Sequence, residues 1–248
     1  MALLPKPSVR SRRAGPGAPV DRPPRAGRDR RAAGLALSIA GVAILMGSIT
    51  AEALHPGPYT THADTLSHLG ASEPPNSVVV QPSAWIFDGT MLGSGALILM
   101  AAWCLHRALH RKPVTVPTAL LGLGVLGVGV FPLTSPGMHT VFALLAFYSG
   151  GIAMLLSARI TPSPFRQLWT VLGIVSLVAI SLGVLVMDWT PVAALGEGGI
   201  ERWNSYPIVL WMVAFGSHLL SAEPPPAERT GEHGAPDVST GHLTRPVS

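Results

Sequence analysis

Runs of about twenty apolar residues alternate along the chain with short segments rich in Pro, Ser, Thr and charge, the pattern of helices that cross a membrane. A hydrocarbon core about 30 Å thick, at about 1.5 Å rise per residue, takes roughly 20 apolar residues per crossing. Spans are predicted at about 34–54, 85–105, 118–132, 139–160, 168–187 and 203–221. The expected fold class is therefore all-α, a polytopic transmembrane helical bundle of about six spans. Its membrane domain covers 32–221, between a basic arm at 1–31 and a polar tail at 222–248, both too poor in apolar residues to build a core and read as disordered.

The pattern also singles out positions inside the spans. The third run is short and bracketed by Pro117 and Pro132, which calls for help from flanking residues or local bilayer thinning. Within it, Gly122, Gly124 and Gly127 reproduce G-x-G-x-x-G, but a dinucleotide site needs a preceding strand and an acid about 20 residues on, so a smooth helix-packing face is expected instead. Gly89 and Gly93 have the small-xxx-small spacing of a second packing face. The first span ends in Ala51-Glu52-Ala53, which resembles a signal-peptidase site. Its apolar run exceeds the 7 to 15 residues, roughly, of a typical leader, so an uncleaved anchor is expected.

Composition supports lipid as the solvent: 48% of residues are hydrophobic and 12% charged, where a soluble domain carries about 25% charge. Membrane lipids are therefore the expected partners. Cys104 is the single cysteine, which excludes an internal disulfide and a cysteine metal cage. Nine of the seventeen basic residues precede residue 32 and do not interleave with aromatics, so nucleic acid is not an expected partner. The excess of Arg over Lys, with abundant Ala, Gly and Pro, fits a bacterial genome rich in G and C, hence the bacterial inner membrane.

Charge then orients the bundle. With both termini in the cytoplasm, sixteen of the seventeen basic residues fall inside and only Arg202 outside, as the positive-inside rule requires. The outer side receives most of the membrane-proximal acids and histidines: Glu52, His55, His62, Asp64, His68, Glu73, Asp88, His139, Asp188, Glu197 and Glu201. Asp88 lies about one turn into the second span and His139 opens the fourth.

Several chemistries compete for this cluster. Asp64, Thr65 and Ser67 are ordinary turn and cap residues. A metal site from His55, His62, His68 and His139 with Asp64 or Asp88 has suitable ligand types, but intervals of six and five residues between the first three histidines match no helical or finger spacing. A Ser67 nucleophile with His68 or His139 and Asp88 lacks a G-x-S-x-G elbow. No metal or cofactor is assigned. The expected site is an extracytoplasmic polar pocket formed by Ser67, His68, Gly70, Asp88, His139, Glu201 and Arg202. In it, His139 and Asp88 line the pocket, Gly70 turns the backbone, and a Glu201–Arg202 ion pair closes it. A binding or regulatory role toward a lipid headgroup or partner ranks first, a membrane-embedded hydrolase with a His/Asp or metal site second, and a small-solute transporter third.

Tyr59 to Ala71, YTTHADTLSHLGA, followed by Trp85-Ile86-Phe87-Asp88, Gly127 to Pro132, His139 to Ala143, and Gly199-Ile200-Glu201-Arg202 leading into Tyr206-Pro207, resembles the bacterial membrane-protein family known as domain of unknown function 998. The resemblance covers roughly 34–220 and implies six spans, with no established reaction. His68 and Asp88 stand where that family tends to carry Asp and Asn.

Overall fold

The exposed faces of these helices are apolar and small residues recur on the buried ones, unlike the pattern of a water-soluble bundle. On α1 (Pro24–Ala53), Leu35, Ile39, Val42, Met46 and Ile49 form an exposed stripe, while Ala33, Ala36, Leu37 and Ala40 are buried. On α5 (Phe165–Leu185), Leu168, Val171, Ile174 and Val178 are exposed, opposite the buried Gly173, Ser176 and Ala179. Such faces are stable against lipid tails, and close helix approach through small residues supplies the packing. The chain is a polytopic α-helical membrane protein.

The computed structural model describes residues 24–75, 77–110, 112–186 and 190–221. The remaining helices are α2 (Ser83–Leu109), α3 (Lys112–Val130), α4 (Pro136–Ala158), the single turn α6 (Thr190–Ala193) and α7 (Gly196–Ser221), with a 3-10 turn at Leu66–Leu69. The long helices pack in chain order, α1 on α2, α2 on α3, α3 on α4, α4 on α5 and α5 on α7, and α7 returns to α1 to close a ring. Neighbours run antiparallel: Gly34 meets Gly216 while Gly41 meets Val209, and Gly124 meets Ala146 while Gly127 meets Phe142. Residues 24 and 221 therefore lie at one end.

Five helices, α1 to α5, are long and apolar enough to cross a membrane. Helix α7 is as long, but Glu197, Glu201 and Arg202 make its first two turns polar, and its apolar part starts at Trp203.

Helix boundaries differ from the expected spans in an informative way. Helix α1 begins at Pro24, so the last residues of the predicted arm, Arg25 to Arg31, form its first two turns. Helix α3 starts at Lys112 and runs through Pro117, which lengthens the short third span to 19 residues. An internal proline gives up a backbone hydrogen bond, and membrane helices tolerate it where neighbouring groups re-satisfy the freed carbonyl. The first 23 residues and the tail from 222 lie outside the described residues, as does Asp188.

The glycine pattern was half legible. Gly122 lies against Leu99 of α2, and Gly124 and Gly127 lie against Ala146 and Phe142 of α4, so the G-x-G-x-x-G run is a packing face. Gly89 and Gly93 are not: nothing lies within 4 Å of where their Cβ atoms would stand, and Gly95 is the residue pressed against Leu126. Polar groups also join the ring. Asn204, fully buried, donates to the Ser176 carbonyl at 2.9 Å, and Trp211 Nε1 donates to Ser157 Oγ at 2.8 Å.

Candidate functional site

The segment between α1 and α2 folds over the end of the ring opposite residues 24 and 221, and Arg202 fastens it. Arg202, on the second turn of α7, donates through Nη1 to the carbonyls of Thr61 (3.1 Å), Asp64 (2.9 Å) and Gly198 (2.9 Å), and through Nη2 to the Tyr59 hydroxyl (2.7 Å). Its Nη2 also lies 3.7 Å from Glu52 at the end of α1. Tyr59 passes the connection on by donating to the Thr65 carbonyl at 2.9 Å. Burial pushes the Tyr59 phenol well above its ordinary range against the opposing charge of Arg202, so it stays a neutral donor.

Glycines let α7 approach this loop. Gly196 has φ of +70°, a left-handed conformation that disfavours a side chain, and a Cβ there would collide with the His62 carbonyl. A Cβ on Gly198 would collide with the Asp64 carbonyl, and the Gly198 N–H donates to the His62 carbonyl at 3.1 Å.

Beneath the clamp, Ser67 joins α4 to α7. Its Oγ lies 2.9 Å from His139 Nε2 and 3.3 Å from Glu201 Oε1, while the Leu66 N–H donates to Glu201 Oε2. His139 Nδ1 is 2.7 Å from the Phe131 carbonyl, an obligate acceptor, so Nδ1 carries a proton. Two arrangements then complete the chain. Either a protonated Glu201 donates to Ser67 and Ser67 donates to a neutral His139, or Ser67 donates to an ionised Glu201 and a doubly protonated His139 donates to Ser67. In both, one proton is shared among the three side chains. Burial raises the Glu201 carboxyl to about 7, with the Leu66 N–H acting in the opposite direction.

Below Ser67 and Glu201 lies a cavity of about 70 Å³ inside the ring. Its walls are apolar side chains of α1, α2, α3, α4 and α7, among them Phe87, Met91, Val125, Phe147 and Met212, and Ser205 joins Ser67 and Glu201 as the polar lining. The site is thus amphipathic in section, polar at the outer end and apolar toward the bundle centre.

The segments that build it lie far apart in sequence: Tyr59 to Gly70, Phe87 and Asp88, Phe131, His139, and Gly198 to Arg202. They coincide with the sequence pieces that carry the family resemblance. A family model described as "Protein of unknown function (DUF998)" matches residues 38–218. The chain belongs to the DUF998 family. No curated protein and no solved structure matches it.

In this DUF998 protein, Ser67, His139 and Glu201 meet directly. Arg202 is adjacent in sequence but serves another purpose: its acidic partner is Glu52, and the expected Glu201–Arg202 closing pair is replaced by the loop clamp. Gly70 does not make an unusual turn, since its φ of −83° suits any residue. Its small size is what matters, because a Cβ would come within 2.8 Å of Asp88 Oδ1. Asp88 stands beneath Gly70, away from the hydrogen-bonded chain, and its Oδ1 is buried with no hydrogen-bond partner.

His68 caps the turn. Its Nδ1 accepts the Thr65 N–H at 3.1 Å and lies 3.7 Å from Asp64, so imidazole does there what a carboxylate at the same position would do. Asp64 itself closes a turn, accepting the Thr60 N–H at 2.7 Å. His55 engages Gly57, and the His62 carbonyl contacts α7. Among the described residues, no three His, Cys, Asp or Glu side chains converge as a metal would need. Tyr59, Glu52, Gly196 and Gly198 belong to the site and were not among the expected residues. Tyr59 opens the family-like segment and Gly198 precedes Gly199-Ile200-Glu201-Arg202, which is the signal that marks them.

Proposed function

We propose that this DUF998 protein is a six-span protein of the bacterial inner membrane, with both termini cytoplasmic, that binds one membrane amphiphile through its extracytoplasmic end. The first methylene groups of the apolar tail occupy the cavity within the ring, and a hydroxyl or other uncharged polar end is held by Ser67 and Glu201 under the Arg202 clamp. The even, antiparallel ring and the gathering of basic residues at the end that carries residues 24 and 221 support the orientation.

The observation that carries the reading is the make-up of the cavity. At about 70 Å³ it is about half the size of an apolar cavity that takes up benzene, so it fits a few methylene groups, and its walls offer polar groups at one end only. Apolar cavities stay dry and take up apolar ligands. Ser67 and Glu201, hydrogen-bonded in one chain with His139, can donate to or accept from an uncharged head.

The test uses the full chain in nanodiscs with a long-chain alcohol bearing a diazirine on its tail. Photolysis is expected to label Met91, Val125, Phe147 or Met212, and Ala146→Phe, which fills the cavity, is expected to abolish that labelling. Labels confined to the outward residues Ile39, Val42, Val171 and Ile174 would overturn the proposal.

A second reading, acyl transfer, rests on the 2.9 Å contact of Ser67 Oγ with His139 Nε2, the geometry of a nucleophile and its base. Against it, the Leu66 N–H that could stabilise an oxyanion is taken by Glu201, and His139 is oriented by a carbonyl instead of a carboxylate. A fluorophosphonate probe that labels Ser67 would favour this reading.

A further inference from the structure

A second cavity, about 750 Å³, opens at the opposite end of the ring, the cytoplasmic end on the orientation proposed above. Arg25 and Arg30 of α1, Arg107 of α2 and Arg159 after α4 line it, and among the described residues Asp29 is the one acid in its wall. Four arginines against one aspartate leave an excess of three positive charges. Its floor is apolar, with Phe215 and Leu219 of α7 and Leu109 and Ile160 beside them. His218, stacked between Phe165 and Phe215 at 6.0 and 6.5 Å, and His110, at the left-handed cap of α2, complete the rim.

Two simpler explanations cover only part of this arrangement. Arg107 and Arg159 lie at helix C-termini, where a cation offsets the carbonyl ends of the helix, and Arg107 is also paired to Asp29 at 3.1 Å. Arg25 lies in the first turn of α1, where the macrodipole already supplies positive potential, and Asp29, one turn on, is paired to Arg107. The positive-inside rule accounts for basic residues on this side of the membrane, but is equally satisfied by arginines that face bulk water. It does not gather them from three separate helices around one concavity with an apolar floor.

We infer that this cavity is a binding site for a phosphate-bearing group, held by Arg25, Arg30, Arg107 and Arg159 at the inner membrane interface. Guanidinium pairs bind phosphate oxygens bidentately. The apolar floor suits the glycerol and upper acyl carbons of a phospholipid. The charge alone suits a soluble pyrophosphate compound.

The experiment separates the two sources. The full-length protein in neutral detergent is titrated with inorganic pyrophosphate, followed by thermal shift, and with phosphatidylglycerol, followed by native mass spectrometry, with phosphatidylcholine as the reference lipid. The variant Arg25→Gln/Arg159→Gln leaves the Arg107–Asp29 pair intact. It is expected to weaken binding about thirtyfold, from two basic residues at about 1 kcal/mol each. The control Arg10→Gln/Arg12→Gln/Arg13→Gln neutralises the preceding basic segment and is expected to bind as wild type. Pyrophosphate binding lost in the pocket variant assigns the site to a soluble phosphate, and phosphatidylglycerol binding alone, lost likewise, assigns it to a lipid. Binding of neither probe, equal binding by the pocket variant, or equal loss in the control overturns the inference.

Discussion

Replacing Arg202 with alanine removes the one side chain that ties the outer loop to both α1 and α7. It deletes four hydrogen bonds from a charged donor, to Thr61, Asp64, Gly198 and Tyr59. Each such bond contributes about 1.5–3 kcal/mol, but the loop carbonyls lie at the aqueous end and regain water once the guanidinium leaves. The ion pair adds little, since Glu52 is about a third exposed and the separation is 3.7 Å. Losing one partner of a buried charged network costs about 3–5 kcal/mol, the magnitude expected here. For a chain of this size, about 1 kcal/mol lowers the midpoint by about 2–4 °C, so Arg202→Ala should melt roughly 6–20 °C below wild type. Tryptophan fluorescence of the detergent-solubilised protein follows the transition, and proteolysis between Leu54 and Leu66 reports release of the loop. Arg202→Lys restores the charge with a single nitrogen and should fall between the two. A midpoint within about 3 °C of wild type, with the loop still protected, would refute the clamp.

Glu201 predicts a pH effect of definite sign. Its folded pKa of about 7 lies above the usual carboxylate value, so the folded state holds a proton that the unfolded chain releases. Stability from this group is therefore greatest in acid and falls as pH rises from about 4.5 to about 7, by on the order of 1–3 kcal/mol. Glu201→Gln should flatten that part of the melting profile, and an unchanged profile would count against the shared proton. Gly124→Leu should separate α3 from α4 and destabilise by at least about 1–3 kcal/mol, whereas Gly89→Ala, with open space around it, should be neutral or gain up to about 1 kcal/mol from helix propensity. Equal melting of the two variants would discard the packing assignment. In a Cys104→Ser background, Thr61→Cys should react with an impermeant thiol reagent from outside intact cells and Pro162→Cys only after permeabilisation. The reverse pattern would invert the proposed orientation.

The fold was legible because lipid imposes a coarse code: apolar run lengths located the helices, and errors were confined to their ends. Helix α1 extends through Arg25 to Arg31 because a helix projecting from lipid into water no longer needs apolar residues, so hydropathy is blind to its true start. Helix α3 runs through Pro117 because a membrane helix tolerates an internal proline, so the proline marks no boundary there. The site was legible in its parts. Ser67, His139 and Glu201 were picked out as polar groups at span ends, but nothing in their spacing showed that Ser67 would sit between the other two, because that depends on how α4 and α7 lie in the ring. Arg202 was expected to pair with Glu201 and instead fastens the segment between α1 and α2. Adjacent residues on a helix point about 100° apart, which sends Glu201 to the Leu66 turn and Arg202 to the loop carbonyls.

Closure of the ring by α1 and α7 bears on how the protein is made. Ser38 on α1 donates to the Val213 carbonyl on α7, 175 residues away, and Gly34 faces Gly216 beside it. The α1 face that meets α7 is made well before α7 and stays uncovered, small and partly polar, until α7 is inserted, whereas the α1 face that meets α2 is covered as soon as α2 follows. A nascent chain stalled before α7 would present two unsatisfied seams to lipid, one at Ser38 and one at Ser176. Those seams are the features by which membrane quality control could tell an unfinished molecule from a finished one.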